Sequence, residues 1–217
     1  MTIHSASRWA ADADAAYIAA HRGVQRFPGR DLTLFIQRNF LTPDQCDALI
    51  ERIEADRRPS TIADANGDGY FRTSETCDLD PLDPFVATID RQIADYAGID
   101  PIYGEPLQGQ RYAVGQEFKA HTDYFEPHGP DFQKYCALSG NRTWTFMVYL
   151  NIPEAGGATR FTKVGKMVQP ETGKLLAWDN RRPDRTFNPA TLHHGMKVRS
   201  GVKYVITKWY RERPWTS

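Results

Sequence analysis

Two residues of the short run His121-Thr122-Asp123 are suited to hold a metal. In an extended strand, residues two apart project from the same face, so an imidazole and a carboxylate point together while Thr122 turns away. His193 and His194 lie further along the chain, and either would complete a 2-His-1-carboxylate set. That set covers one face of a non-haem Fe(II) ion and leaves the remaining positions open for chemistry. Only one of two neighbouring strand residues can face the ion. A second stretch, Asp64-Ala-Asn-Gly-Asp-Gly-Tyr-Phe-Arg-Thr-Ser-Glu75, fits the calcium loop of an EF-hand, with Gly69 at the sharp turn. It lacks the flanking helices. Pro59 separates it from the preceding helix, Pro81 and Pro84 follow it, and the cation Arg72 stands where an oxygen ligand or water is usual. A calcium-binding module built on Asp64–Glu75 is therefore the weaker alternative. No nucleophile elbow, P-loop, dinucleotide fingerprint or HExxH is present.

The elements that must position these groups follow from periodicity. Residues 8–22 are alanine-rich and predict a helix, and 31–40 alternate as a strand. Residues 41–56 predict a helix with Thr42 as cap, Pro43 in its first turn, and an apolar face of Cys46, Leu49, Ile50 and Ile53. Residues 84–98 repeat the design, with Gly98 as the stop. Beyond residue 105 the chain breaks into short alternating runs punctuated by Gly and Pro. Helices precede strands instead of alternating with them, which argues against a parallel βαβ sheet. The expectation is a mainly β fold with flanking helices: a double-stranded β-helix (jelly roll) core with N-terminal helical support. A single domain is expected over 1–217. Residues 1–104 would give helical support, first strands and a substrate lid, and 105–213 the jelly-roll core.

Composition narrows the function. Lys plus Arg equals Asp plus Glu at 27 each, so nothing draws the chain as a whole toward nucleic acid or anionic lipid. The basic cluster Lys197, Arg199, Lys203, Lys208, Arg211 and Arg213 reads as a solvated strand face, Lys203 aside. Cys46, Cys77 and Cys136 are scattered, against a disulfide framework or thiolate zinc site. Neither a signal peptide nor a membrane span is evident, so no membrane partner and a cytoplasmic location are expected. Asn141 begins an N-R-T sequon by pattern only. His4, His21 and His128 read as surface residues.

Three blocks of the second half carry a resemblance. Arg111-Tyr112-Ala-Val-Gly115-Gln116-Glu-Phe118-Lys-Ala-His121-Thr-Asp123 is the first. Arg142-Thr-Trp-Thr145-Phe-Met-Val-Tyr149-Leu150 is followed by the turn Gly156-Gly157-Ala-Thr159-Arg-Phe161. The third runs from His193 through Gly195, Val198, Gly201, Lys203 and Tyr204 to Lys208-Trp209. In order and spacing they resemble the prolyl 4-hydroxylase-like branch of the Fe(II)/2-oxoglutarate dioxygenases over about residues 106–213. The resemblance implies His121, Asp123 and His193 as metal ligands, with His194 a bystander, because the family's distal histidine stands ten residues before its 2-oxoglutarate lysine, here Lys203. It implies Lys203, Tyr112 and Thr145 as cosubstrate contacts and Trp209 as pocket wall. It further implies Fe(II), 2-oxoglutarate and O2, with ascorbate as reductant. Retention of Asp123 argues against the related halogenases, which vacate that position for halide.

Arg72-Thr73-Ser74 resembles a mobile segment at the family's active-site mouth, where Tyr70 and Phe71 would close over a substrate. Three features depart from the family: Ala158 replaces a frequent Glu, Lys197 replaces Pro, and 126–141 is longer than usual. The implied function is hydroxylation of peptidyl proline. The alternatives are a free amino acid or other small molecule as substrate, and a catalytically silent jelly roll with a structural metal.

Overall fold

The computed structural model describes residues 10–60, 71–129 and 131–215. Its first helix, α1, spans only Ala15–Ala19, because the Asp14 carboxylate accepts from Ala16 N at 2.8 Å and caps it there. Ala10 lies extended beside Ile99, and residues 8–9 fall outside the described residues. Strands β1 (Gln25–Arg26) and β2 (Leu34–Gln37) lead to α2, Pro43–Ala55. Thr42 and Gln45 form a reciprocal capping box there, and Cys46, Leu49 and Ile53 are its buried stripe. After β3 (Arg58–Pro59) and β4 (Glu75–Asp78), α3 spans Pro84–Ala97. Asp83 caps its start, and Gly98 ends it at φ 70°, the left-handed conformation that glycine takes without strain.

The remaining elements are short, as the Gly and Pro punctuation implies: β5 (Gln108–Tyr112), β6 (Phe118–His121), α4 (Phe132–Cys136), β7 (Arg142–Tyr149) and β8 (Ala155–Gly156). They continue as β9 (Thr159–Phe161), β10 (Lys166–Val168), β11 (Leu175–Asp179), β12 (His193–Gly195), β13 (Val198–Ser200) and β14 (Lys203–Arg211). An eight-stranded sheet has the order β1-β2-β11-β7-β14-β5-β4-β3. A four-stranded sheet, β10-β9-β12-β6, faces it, and β13 pairs with β8. This is the mainly β, jelly-roll architecture expected, except that four strands of the large sheet come from the chain's first half.

Both faces of the large sheet are covered, which is why its central strand β7 reads as almost continuously buried. Trp144, Phe146 and Val148 pack outward against Leu49 and Ile53 of α2 and Ile89 and Ile93 of α3. Met147 and Tyr149 point inward, where they meet Phe161, Leu176, Trp178 and Val205 between the sheets. One strand thus serves two cores by simple alternation.

Several expectations change in three dimensions. The basic cluster is only partly a solvated face: Lys197, Arg199 and Arg213 are exposed, but Lys208 and Arg211, like Lys203, are each 2% exposed. Lys208 pairs with Asp90 at 2.6 Å and Arg211 with Glu105 at 2.6 Å, so burial is matched by ion pairing for both. His21 is half-buried and stacked on Tyr96 with centroids 4.4 Å apart, so it is no surface residue. Asn141 is fully buried with its amide bonded to the backbone of Phe125, which removes it as a glycosylation acceptor. Residues 64–70 of the calcium-like stretch lie outside the described residues. Glu75, its last carboxylate, is a strand residue engaged by Arg111 at 2.8 Å and Arg57 at 3.3 Å. The three cysteines are buried free thiols. Among the described residues no helix is long and apolar enough to cross a membrane.

Candidate active site

β6 and β12 are neighbours in the small sheet, and their register puts His193 directly opposite His121. Antiparallel pairing therefore joins two imidazoles that are remote in sequence, and Asp123 follows just past the end of β6. One donor atom from each of His121, Asp123 and His193 lies within 4.8 Å of the others. It is the one such group of His, Cys, Asp and Glu among the described residues.

The donors are preset by their neighbours. His121 Nδ1 meets Lys119 O at 2.7 Å, and His193 Nδ1 meets Thr191 O at 2.9 Å. A carbonyl can only accept, so each Nδ1 carries the proton and each Nε2 keeps its lone pair for a ligand. The rings are held by stacking: Phe118 lies over His121 at 3.5 Å between centroids, and Trp178 packs edge-on to His193 at 4.9 Å. Thr145 donates to Asp123 Oδ2 at 2.7 Å and accepts from Asn180 Nδ2 at 3.0 Å. Asp123 Oδ1, 3.7 Å from His121 Nε2, stays clear of that bond. Thr145, expected to touch cosubstrate, thus has its hydroxyl already engaged by the carboxylate.

Electrostatics select the metal-ready protonation states. Burial, reinforced by His193, pushes the His121 imidazole down to about 3, so it stays neutral. For Asp123, burial opposes ionisation, yet the two histidines, Arg142 and the Thr145 hydroxyl together hold its carboxyl below the usual carboxylate range. A neutral imidazole and an anionic carboxylate are the forms that bind a divalent cation.

His194 points the other way and bonds Glu117 at 2.9 Å. Lys203 is different. It is 2% exposed, faces Tyr112 across the β14–β5 register, and has its ammonium 4.8 Å from the Tyr112 ring and 5.3 Å from that of Tyr149. No carboxylate among the described residues balances it, and burial alone drives its pKa to about 7. An inner cavity lined by Tyr112, His121, Asp123, His193, Lys203 and Trp209 joins the cation to the triad. Gly157, at φ 73°, lets the backbone pass this lysine; a Cβ there would stand 3.1 Å from Lys203 Cδ. The donor set could hold a ferrous ion, and the unbalanced ammonium could hold the far carboxylate of a bound oxo acid.

Outside the triad opens a cleft of about 880 Å³, lined by Phe71, Arg72, Tyr124, Phe125, Tyr135 and Trp209 among others. Phe71 packs edge-on to Phe118 at 5.8 Å, and the Arg142 guanidinium lies 3.9 Å over Trp209. The atypical segment 126–141 supplies one wall through Glu126, Gly129, Asp131, Phe132, Lys134 and Tyr135. Tyr70 lies outside the described residues. Sequence reasoning assigned no role to Phe118, Asn180 or Glu105. The block F-x-x-H gave a signal for Phe118, whereas the partners of Asn180 and Glu105 are set only by strand packing.

Comparison with known proteins agrees with this geometry. Residues 107–211 match the family described as the 2OG-Fe(II) oxygenase superfamily. "Probable prolyl 4-hydroxylase 3" of Arabidopsis thaliana is 33% identical over 199 residues, covering 81% of this chain and 68% of that protein. "Prolyl 4-hydroxylase subunit alpha-1" of Gallus gallus is 34% identical over 145 residues, covering 66% of this chain and 28% of that one. The crystal structure of a viral collagen prolyl hydroxylase from Paramecium Bursaria Chlorella virus-1, a 2OG complex, superposes with a TM-score of 0.63 at 26% identity, covering 82% of this chain and 95% of that chain. The chain belongs to the 2OG-Fe(II) oxygenase superfamily, in its prolyl 4-hydroxylase-like branch.

Proposed function

We propose that this Fe(II)- and 2-oxoglutarate-dependent dioxygenase hydroxylates peptidyl proline, holding iron on His121, Asp123 and His193 and 2-oxoglutarate on Lys203. The convergence of three donor atoms within 4.8 Å, beside an unbalanced buried lysine, carries the reading. The bound iron and oxo acid supply the oxidising chemistry: 2-oxoglutarate and O2 become succinate and carbon dioxide, and one oxygen atom enters a substrate C–H bond as hydroxyl.

The protein's own work is placement. Thr145 and Asn180 orient Asp123, and the carbonyls of Lys119 and Thr191 fix the histidine tautomers. Lys203 recognises the far carboxylate, with Tyr112 as its wall. Phe71 and Trp209 flank the entrance and shield the reacting centre from water. The aromatic cleft suits an extended, proline-rich chain, whose preformed backbone loses little entropy on docking. Its size favours a peptide over a free amino acid. The whole chain acts as one dioxygenase domain, 105–213 forming the catalytic core. Ascorbate serves as reductant and the cytoplasm as location.

The test is a mass-spectrometric screen of proline peptides with Fe(II), 2-oxoglutarate and O2, following succinate and the gain of one oxygen. His193→Ala abolishes turnover and divalent-metal binding by calorimetry, whereas His194→Ala retains both. The reverse pattern would overturn the ligand assignment.

A further inference from the structure

Among the described residues, Arg72 stands at the mouth of the site without an anionic partner. Its guanidinium reaches neutral oxygens: Ser74 Oγ at 3.1 Å, Thr76 Oγ1 at 3.1 Å and Gln108 Oε1 at 3.3 Å. It lies 4.8 Å over the Phe118 ring, the same ring that stacks on His121. No carboxylate among the described residues forms an ion pair with it. Burial disfavours its charge and Arg142 and Arg58 add to that, while Tyr112 and the candidate metal ligand Asp123 act in its favour.

The cleft floor repeats the imbalance. Glu105 is held by both Arg142 at 2.6 Å and Arg211 at 2.6 Å. Arg142 and Arg211 thus share one floor carboxylate, and Glu126 and Asp131, which also line the cleft, form no ion pair with Arg72. Arg211 is tied down further by the carbonyls of Tyr135 and Gly140, but Arg142 and Arg72 both line the open cleft.

The arrangement mirrors that of Lys203. Two cavities share His121, Asp123 and Trp209; the inner one contains Lys203 and the outer one Arg72. Among the described residues each cavity presents a cation with no carboxylate partner, and such a cation suits an anion that arrives from outside. The inner cation serves the cosubstrate.

We propose that Arg72, supported by Arg142, recognises a carboxylate on the substrate close to the carbon that is hydroxylated. This rests on the proline-hydroxylase reading of the site. The carboxylate is either an Asp or Glu side chain beside the proline, or the free α-carboxylate of a C-terminal proline. The recognition chemistry is the same for both.

Four labelled proline peptides of equal length test it on the iron- and 2-oxoglutarate-loaded enzyme. Two are capped at both ends and carry Glu or Gln beside the proline. The other two end in proline as free acid or as amide. Anaerobic binding is read by fluorescence anisotropy and hydroxylation by kcat/KM. The expected result is that at least one acid binds about tenfold or more tightly than its neutral counterpart. That advantage shrinks with salt, collapses toward one in Arg72→Met and is partly kept in Arg72→Lys. Which pair shows it identifies the source of the carboxylate. Equal binding and turnover of acid and neutral probes in the wild type overturns the proposal and leaves the proline reading standing. A preference that persists undiminished in folded Arg72→Met overturns the assignment to Arg72. If no probe is bound or hydroxylated, the proline reading falls and this proposal with it. The wild-type comparison needs no variant, so misfolding cannot mask the answer.

Discussion

At the scale of single residues, this site sets function against stability. Lys203 is buried with no carboxylate partner among the described residues, and burial lowers its pKa from 10.5 to about 7. Between those values the unfolded chain binds more protons than the native protein, so stability rises with pH across that window. Below it the native state carries the full burden of a buried charge. Lys203→Met should therefore raise the Tm of the metal-free protein at neutral pH by several degrees, while abolishing 2-oxoglutarate binding measured by calorimetry. Thr145→Val keeps shape but frees Asp123 Oδ2 and leaves Asn180 without an acceptor. Metal affinity should fall about 10- to 100-fold, read by Mn(II) titration, with the circular dichroism spectrum unchanged.

At the scale of elements, local chemistry and long-range register divide the work. α2 is specified from within: the Thr42–Gln45 box, Pro43 and the apolar stripe all agree. Thr42→Ala should cost about 1 kcal/mol in urea unfolding and leave succinate formation per folded molecule unaltered, because the helix packs on the sheet face remote from the triad. α1 shows the opposite. Its alanines favour helix over a longer span, but Asp14 caps it late and Asp12 binds Arg181 at 2.7 Å and Arg185 at 2.8 Å instead. β6 and β12 have too little length to define their own pairing. Their partnership, and with it the meeting of His121 and His193, depends on the sheet around them.

At the scale of the whole molecule, Glu105 joins parts of the chain that are far apart. It precedes β5 and clamps the start of β7 through Arg142 and the end of β14 through Arg211. Burial alone would raise its pKa, but the two guanidiniums hold it below its ordinary 4.5. Its contribution is therefore complete above about pH 4.5 and lost as pH falls through the native value. Glu105→Gln leaves two buried guanidiniums underpaired and should cost about 3–5 kcal/mol at neutral pH. The same variant should show a flatter loss of stability below about pH 4.5 than the wild type. Urea titrations of both proteins across that range check the two outcomes.

His193 and Lys203 were named through the family resemblance, whereas what the amino-acid order alone determined was local or periodic: the capped helices, the alternating strands, and the His121–Asp123 pair on one strand face. These are legible because a turn, a cap or a strand face depends on residues within a few positions of one another. Tertiary structure decided which charges are solvated. Lys208 and Arg211 read as surface cations, yet each found an acid from a distant segment and was buried with it. It also decided that Thr145 bonds Asp123, and that Glu75 belongs to a strand and faces arginines. Burial and ion pairing arise from contacts between segments that the chain brings together only on folding, and no local pattern encodes them.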